Sequence, residues 1–93
     1  MLEFEWDASK EIKNIQKHKI SFAEGIETFF DPCGIKMIDR GHSSEEKRFY
    51  WIGQTREKKI LTTWFTERGN RIRIIGSAHF RKFRRIYETA QYE

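Results

Sequence analysis

Residues 48–78 read RFYWIGQTREKKILTTWFTERGNRIRIIGSA, and the fold turns on this stretch. The blocks RFYWIGQT and KILTTWFTE are rich in aromatic and β-branched side chains, which suit a pleated, half-buried surface. The charged turn REKK at 56–59 lies between them and predicts an antiparallel hairpin. RGN at 68–70 turns the chain again, into a further strand RIRIIGSA. The side-chain period of two puts Arg71 and Arg73 on one face of that strand and Ile72 and Ile74 on the other.

Before the hairpin, GIKMID at 34–39 predicts a short strand, and RGHSSEEK at 40–47 has the Gly, Ser and charge content of an exposed loop. At the start, Leu2, Phe4 and Trp6 alternate with Glu3, Glu5 and Asp7, the pattern of a short half-buried strand. Asp7 or Ser9 can cap a first helix through SKEIKNIQKHK, with Ile12 and Ile15 as its apolar stripe and Lys10, Lys13, Asn14 and Lys17 around it. Ser21 and Glu24 form a capping-box pair for a second helix, whose Phe22, Ile26, Phe29 and Phe30 are predicted to face the core. DPCG stops that helix. After the hairpin, FRKFRRIYETAQ spaces Phe80, Phe83, Tyr87 and Ala90 at helical intervals, predicting a closing helix with a basic outer face.

The order β-α-α-β-β-β-β-α indicates the α+β class: an antiparallel sheet with the helices, two N-terminal and one C-terminal, laid on one side of it. The orientation of the first strand stays open. At 93 residues the chain is expected to form a single domain spanning 1–93. Three Trp and eight Phe supply the anchors of a packed core, so this is not a disordered basic tail. The lone Cys33 makes no internal disulfide, which fits a reducing compartment. Glu3, Glu5 and Asp7 near the start, and the lack of any run of about 18 apolar residues, speak against a signal peptide or membrane span. A cytoplasmic protein with no membrane partner is expected.

A formal net charge of +4 favours nucleic acid or an acidic protein as partner. The charge is also clustered: seven Arg and Lys fall between positions 68 and 85 with no acid among them. Arg71 and Arg73 can hold a phosphate backbone on an open sheet face, or can instead pair with Glu67 or other cross-strand acids. His79 stands just before Arg81 and Lys82, and an imidazole beside guanidiniums suits metal-free RNA cleavage. Such cleavage needs a base for the ribose 2′-hydroxyl, an acid for the leaving 5′-oxygen and a fixed cation for the phosphorane. A ring stacked on Phe80 or bonded at a helix start would explain His79 equally well. Lys17 and His18 end the first helix, where the macrodipole alone accounts for them. His18, His42, His79 and Cys33 lack paired zinc-ligand spacing, and no cofactor motif is present, so neither metal nor cofactor is expected. Phe80, Phe83 and Tyr87 are expected in the core rather than as a base-stacking platform.

The segment FEWDASKEIKNIQKHKISFAEGIETFFDP resembles the opening of BrnT-type toxins. The family pattern falls here on Phe4, Trp6, Asp7, Lys10, Asn14, Lys17, His18, Phe22, Asp31 and Pro32. RFYWIGQT, TERGNRIRIIG and RKFRRIYE are also similar to that family, so the resemblance spans nearly the whole chain. It implies a RelE-like ribonuclease toxin of a type II toxin–antitoxin pair, cleaving RNA without a metal and slowing translation. It also implies a cognate antitoxin that neutralises the toxin and itself binds operator DNA. Many relatives carry Ile-Ser-Ala-Arg at the end of the last strand, where this chain has IIGSAHFRK, with Ser77 and His79. The residues singled out are Lys17, His18, Arg73 and His79 for catalysis, and Arg68, Arg71, Arg81 and Lys82 for RNA binding. The alternative is a non-catalytic basic module that binds nucleic acid or an acidic protein. A helix-turn-helix reader is disfavoured, because the basic helix follows a sheet rather than a short helical turn.

Overall fold

The computed structural model describes residues 2–42 and 44–92. Ser43, part of the expected exposed loop, lies outside the described residues. The elements are β1 (Glu3–Trp6), α1 (Ala8–His18), α2 (Phe22–Glu27), β2 (Ile35–Asp39), β3 (Arg48–Gln54), β4 (Ile60–Arg68), β5 (Arg71–Ala78) and α3 (Arg81–Ala90). Short 3-10 turns at Thr28–Phe30 and Arg40–His42 follow α2 and β2. Asp7 is the N-cap of α1 and accepts from the amides of Ser9 and Lys10. Ser21 and Glu24 close the capping box of α2.

One five-stranded sheet has the order β1-β5-β4-β3-β2. β2, β3, β4 and β5 form an antiparallel meander, whereas β1 pairs parallel to β5, with Phe4 opposite Ile72 and Trp6 opposite Ile74. The sheet is therefore mixed rather than antiparallel throughout: the first strand, whose orientation the sequence leaves open, is parallel to its neighbour. Residues 7–70 separate the two partners, far more than a hairpin needs, so the chain can re-enter from the same end of the sheet.

Helices also lie on both faces rather than one. Phe22, Phe65, Ile72 and Ile74 form a core under α2, joined by Phe4, Ile26, Phe29, Phe49 and Trp51. On the opposite face Ile52, Ile60 and Tyr87 form a second core with Ile35, Met37, Phe83 and Ile86, beneath α3. The hairpin strands carry large apolar side chains at successive positions, such as Phe49, Tyr50, Trp51 and Ile52, so both faces need cover.

Three helix faces differ from expectation. In α1, Ile12 and Ile15 are 58% and 41% exposed, while Asn14 is buried. This helix flanks the edge of β5 beyond the end of β1, where backbone groups need a polar partner more than an apolar one. Phe30 is 76% exposed, because the helical stretch tightens into a 3-10 turn after Glu27 and rotates it outward. In α3 the inner stripe is Phe83, Ile86 and Tyr87; Phe80 precedes the helix as its N-cap, and Ala90 is exposed.

Candidate functional site

The face of the sheet opposite α2 is covered by α3 only toward one end. Toward the other end an open surface remains between α1, β5, β4 and the 3-10 turn after β2. Its α1 side is a cleft lined by Lys10, Lys13, Asn14, Lys17, His18, Trp64 and Ile75. Helical spacing explains the cations, since positions 10, 13, 14 and 17 share one side of α1. Asn14 anchors that helix: its Nδ2 donates to Ser77 O at 2.8 Å and Ile20 O at 2.9 Å, and its Oδ1 accepts from Ser77 N at 3.1 Å.

Trp64 floors the cleft. The indole lies across Gly76, where a Cβ would come within 2.0 Å of it, so only glycine permits this approach. A bulge between Trp64 and Phe65 shifts the register against β5 at this point. His18 meets Trp64 and Phe80 edge-on, at ring-centroid distances of 6.0 and 6.1 Å. Burial, with Lys17 adding to it, holds the His18 pKa below the ordinary imidazole value and favours the neutral ring.

A second part of the surface is lined by Lys10, His42, Arg48, Thr66, Arg68 and Arg73, with Glu45 and Glu46 at its margin. Here the clustered positive charge is partly neutralised. Arg73 Nη1 bonds Glu5 Oε2 at 2.8 Å, Arg71 Nε lies 3.5 Å from Glu3 Oε2, and Arg68 Nε bonds Glu46 Oε2 at 3.0 Å. The partners come from β1 and the loop before β3, so Arg71 and Arg73 do pair with acids across the strands. Glu67, named as a partner, bonds Lys36 on the other face at 2.9 Å. The bond from Arg68 comes first among the causes that hold the Glu46 pKa below its ordinary value. A guanidinium has five N–H donors, so Arg73 retains capacity beyond Glu5.

Between these two parts sits a recess of about 240 Å³ lined by Asp39, His42, Arg48, Tyr50, Trp64 and Phe80. Asp39 is buried, at 7% exposure, and its Oδ2 lies 2.9 Å from His42 Nδ1. Burial, then a hydrogen bond to Asp39, raises the Tyr50 pKa and keeps that hydroxyl protonated as a donor.

The singled-out residues therefore fall into separate groups. Lys17, His18 and Arg73 border the open surface, and Arg68 and Arg71 lie at its β1 and loop margin. His79 and Arg81 line another recess with Ile60 and Arg84, on the far side of Phe80. Lys82 reaches over the Phe83 ring at 5.7 Å. Phe80, expected in the core, borders both recesses. The residues that sequence reasoning missed are Asp39, His42, Arg48, Tyr50 and Trp64. The one local sign was Asp39 and His42 three residues apart at a strand end.

Residues 6–84 match the family described as "Ribonuclease toxin, BrnT, of type II toxin-antitoxin system". No curated protein matches the chain. Among solved structures, the 1.1 Å crystal structure of the Brucella abortus ribonuclease toxin BrnT has the same fold, with a TM-score of 0.63 at 22% identity, covering 84% of this chain and 95% of that one. Because the family match covers most of the sequence, from Trp6 at the end of β1 to Arg84 in α3, the chain belongs to the BrnT family of ribonuclease toxins of type II toxin–antitoxin systems.

Proposed function

We propose that the protein is a metal-independent endoribonuclease with a RelE-like single domain, which inhibits translation in the cytoplasm and is neutralised by a cognate antitoxin. Operator DNA is engaged only through that antitoxin. The observation that carries the reading is the cleft in which Lys10, Lys13, Lys17 and His18 face Trp64, continuous through Lys10 and Ile75 with the surface of Arg48, Arg68 and Arg73. Cations on both sides of an aromatic floor suit a single-stranded polyanion, with phosphates on the rim and a base against the indole.

In this reading Arg73 stabilises charge on the phosphorane, and Lys17, as an ammonium, protonates the leaving 5′-oxygen. His18, kept neutral, packs the cleft wall against Trp64 and Phe80. Arg68 and Arg71 hold flanking phosphates, while His79, Arg81 and Lys82 contact RNA outside the reacting centre. The test is incubation of purified protein with RNA in EDTA, with the ends analysed. Cleavage leaving 2′,3′-cyclic phosphate or 3′-phosphate ends is expected. Loss of cleavage in EDTA with rescue by a divalent cation would overturn the metal-independent reading, and intact RNA under all conditions would favour a non-catalytic binding module.

A further inference from the structure

We propose that His42, held from behind by the buried carboxylate of Asp39, is the group that takes the proton from the attacking 2′-hydroxyl of a ribonucleotide seated in the recess beside Trp64. The inference rests on the ribonuclease reading above and names a residue outside the group singled out for catalysis.

The geometry is that of an oriented base. Asp39 ends β2 and is buried, whereas the His42 side chain is 64% exposed one 3-10 turn later. A carboxylate only accepts hydrogen bonds, so the 2.9 Å contact places the imidazole proton on Nδ1 and leaves Nε2 as an acceptor in the neutral ring. The Tyr50 hydroxyl also bonds Asp39, which gives the carboxylate a second partner. A base oriented by a third group, itself packed and bonded, is the arrangement that nucleophile activation requires. His18 differs, since its ring is held edge-on by Trp64 and Phe80.

The surroundings fit a nucleotide. The recess offers the Trp64 and Phe80 rings, 5.7 Å apart and tilted by 33°, as a place for a base, and Arg48 for a phosphate. His42 also borders the adjoining surface with Arg48 and Arg73, so the imidazole borders both the base site and the cations. Among the described residues, the charged and titratable groups around it are Asp39, Tyr50, Arg48, Lys10, Arg68, Arg73 and the carboxylates of Glu45 and Glu46.

The step balances without a further reactant. His42 Nε2 accepts the 2′-hydroxyl proton while the 2′-oxygen bonds to phosphorus. The bond from phosphorus to the 5′-oxygen breaks, and that oxygen leaves with the electron pair and takes a proton from the Lys17 ammonium. The products are a 2′,3′-cyclic phosphate and a 5′-hydroxyl. Asp39 is a positioning residue, acting through the tautomer and orientation of His42.

The test is single-turnover RNA cleavage at saturating protein by His42→Asn, His42→Ala and Asp39→Asn. Binding of an RNA carrying a 2′-deoxynucleotide at the cleavage site and the melting temperature are measured alongside. Asn at 42 can still donate to Asp39 but has no counterpart of Nε2. It should lower the rate by a factor on the order of 10² or more, with binding changed less than about threefold. Added imidazole should restore part of the His42→Ala rate. Asp39→Asn should also slow cleavage, and combining it with His42→Asn should cost nothing more, because the two act as a unit. Wild-type cleavage with an undiminished His42→Asn rate, or fully additive losses, would overturn the inference while leaving the ribonuclease reading standing. Wild-type protein that cleaves no RNA would remove both.

Discussion

The side-chain amide of Asn14 pairs with both backbone groups of Ser77, donating to its carbonyl at 2.8 Å and accepting from its N–H at 3.1 Å. β1 runs alongside β5 only as far as Ile74, and α1 then continues the edge with one side chain in place of a strand. The same Nδ2 also bonds Ile20 O, which closes the turn leading to α2. Asn14→Ala would leave three buried backbone groups without a partner, at roughly 1–3 kcal/mol each before relaxation and water entry. A net loss of about 3 kcal/mol in urea unfolding is expected. A loss below about 1 kcal/mol would show that water replaces the amide.

Arg73 is expected to matter for turnover more than for stability. Its pair with Glu5 is partly buried, at 28% and 30% exposure for the two side chains, and Arg73→Ala should cost about 1 kcal/mol of stability. If the guanidinium stabilises charge present only in the transition state, single-turnover cleavage should fall by a factor on the order of 10² to 10³. An unchanged rate with weaker, less salt-dependent RNA binding would reassign it to phosphate positioning.

His18 predicts a pH dependence whose sign follows from its environment. Burial and Lys17 lower its pKa in the folded state below the ordinary 6.5, so the unfolded chain binds the proton first as pH falls. Stability is therefore fully present above about 6.5 and declines below it until the folded-state pKa is reached. His18→Gln should flatten the stability profile below about pH 7. The carboxylates of Asp7, Glu24, Asp31 and Glu46, whose pKa values are lowered from ordinary values of 3.8 or 4.5, act only at lower pH. An unaltered slope in the mutant would assign the effect elsewhere.

Tyr87 ties α3 to the far end of the other face. Its hydroxyl donates to Asp31 Oδ2 at 2.6 Å, and the same oxygen accepts from Gln54 N at 2.8 Å. Burial works to raise the Asp31 pKa, but these bonds and one from Cys33 N hold it below the ordinary value. Tyr87→Phe should cost about 2 kcal/mol at neutral pH. The loss should shrink in acid, as Asp31 protonates and the bond weakens in the wild type as well. An equal loss at pH 7 and at about pH 3 would mean that the bond to the charged form contributes little.

The order of elements was legible in the sequence because each signal is local. The Ser21 and Glu24 capping box, the turn at 56–59 and the alternation through Arg71–Ile74 act over a few residues and need no partner from elsewhere. The grouping of Arg71 with Arg73 on one face follows from the strand period and holds. Family membership was legible too, since the matching residues run through most of the chain.

Only the tertiary structure decided which surfaces those faces would meet. Periodicity marks Ile12 and Ile15 as a stripe, but whether a stripe is covered depends on what packs there. Against the edge of β5 the need is for hydrogen bonds, so α1 turns Asn14 inward and leaves the isoleucines exposed. The run of basic residues contains no acid, yet Glu3, Glu5 and Glu46 reach it across the sheet and from a loop, contacts set by register rather than by sequence distance. His42 lies in a segment that reads as an exposed loop. Its place beside Trp64, and the burial of Asp39 behind it, exist because β2, β3 and β4 stack side by side, an arrangement that no local pattern encodes.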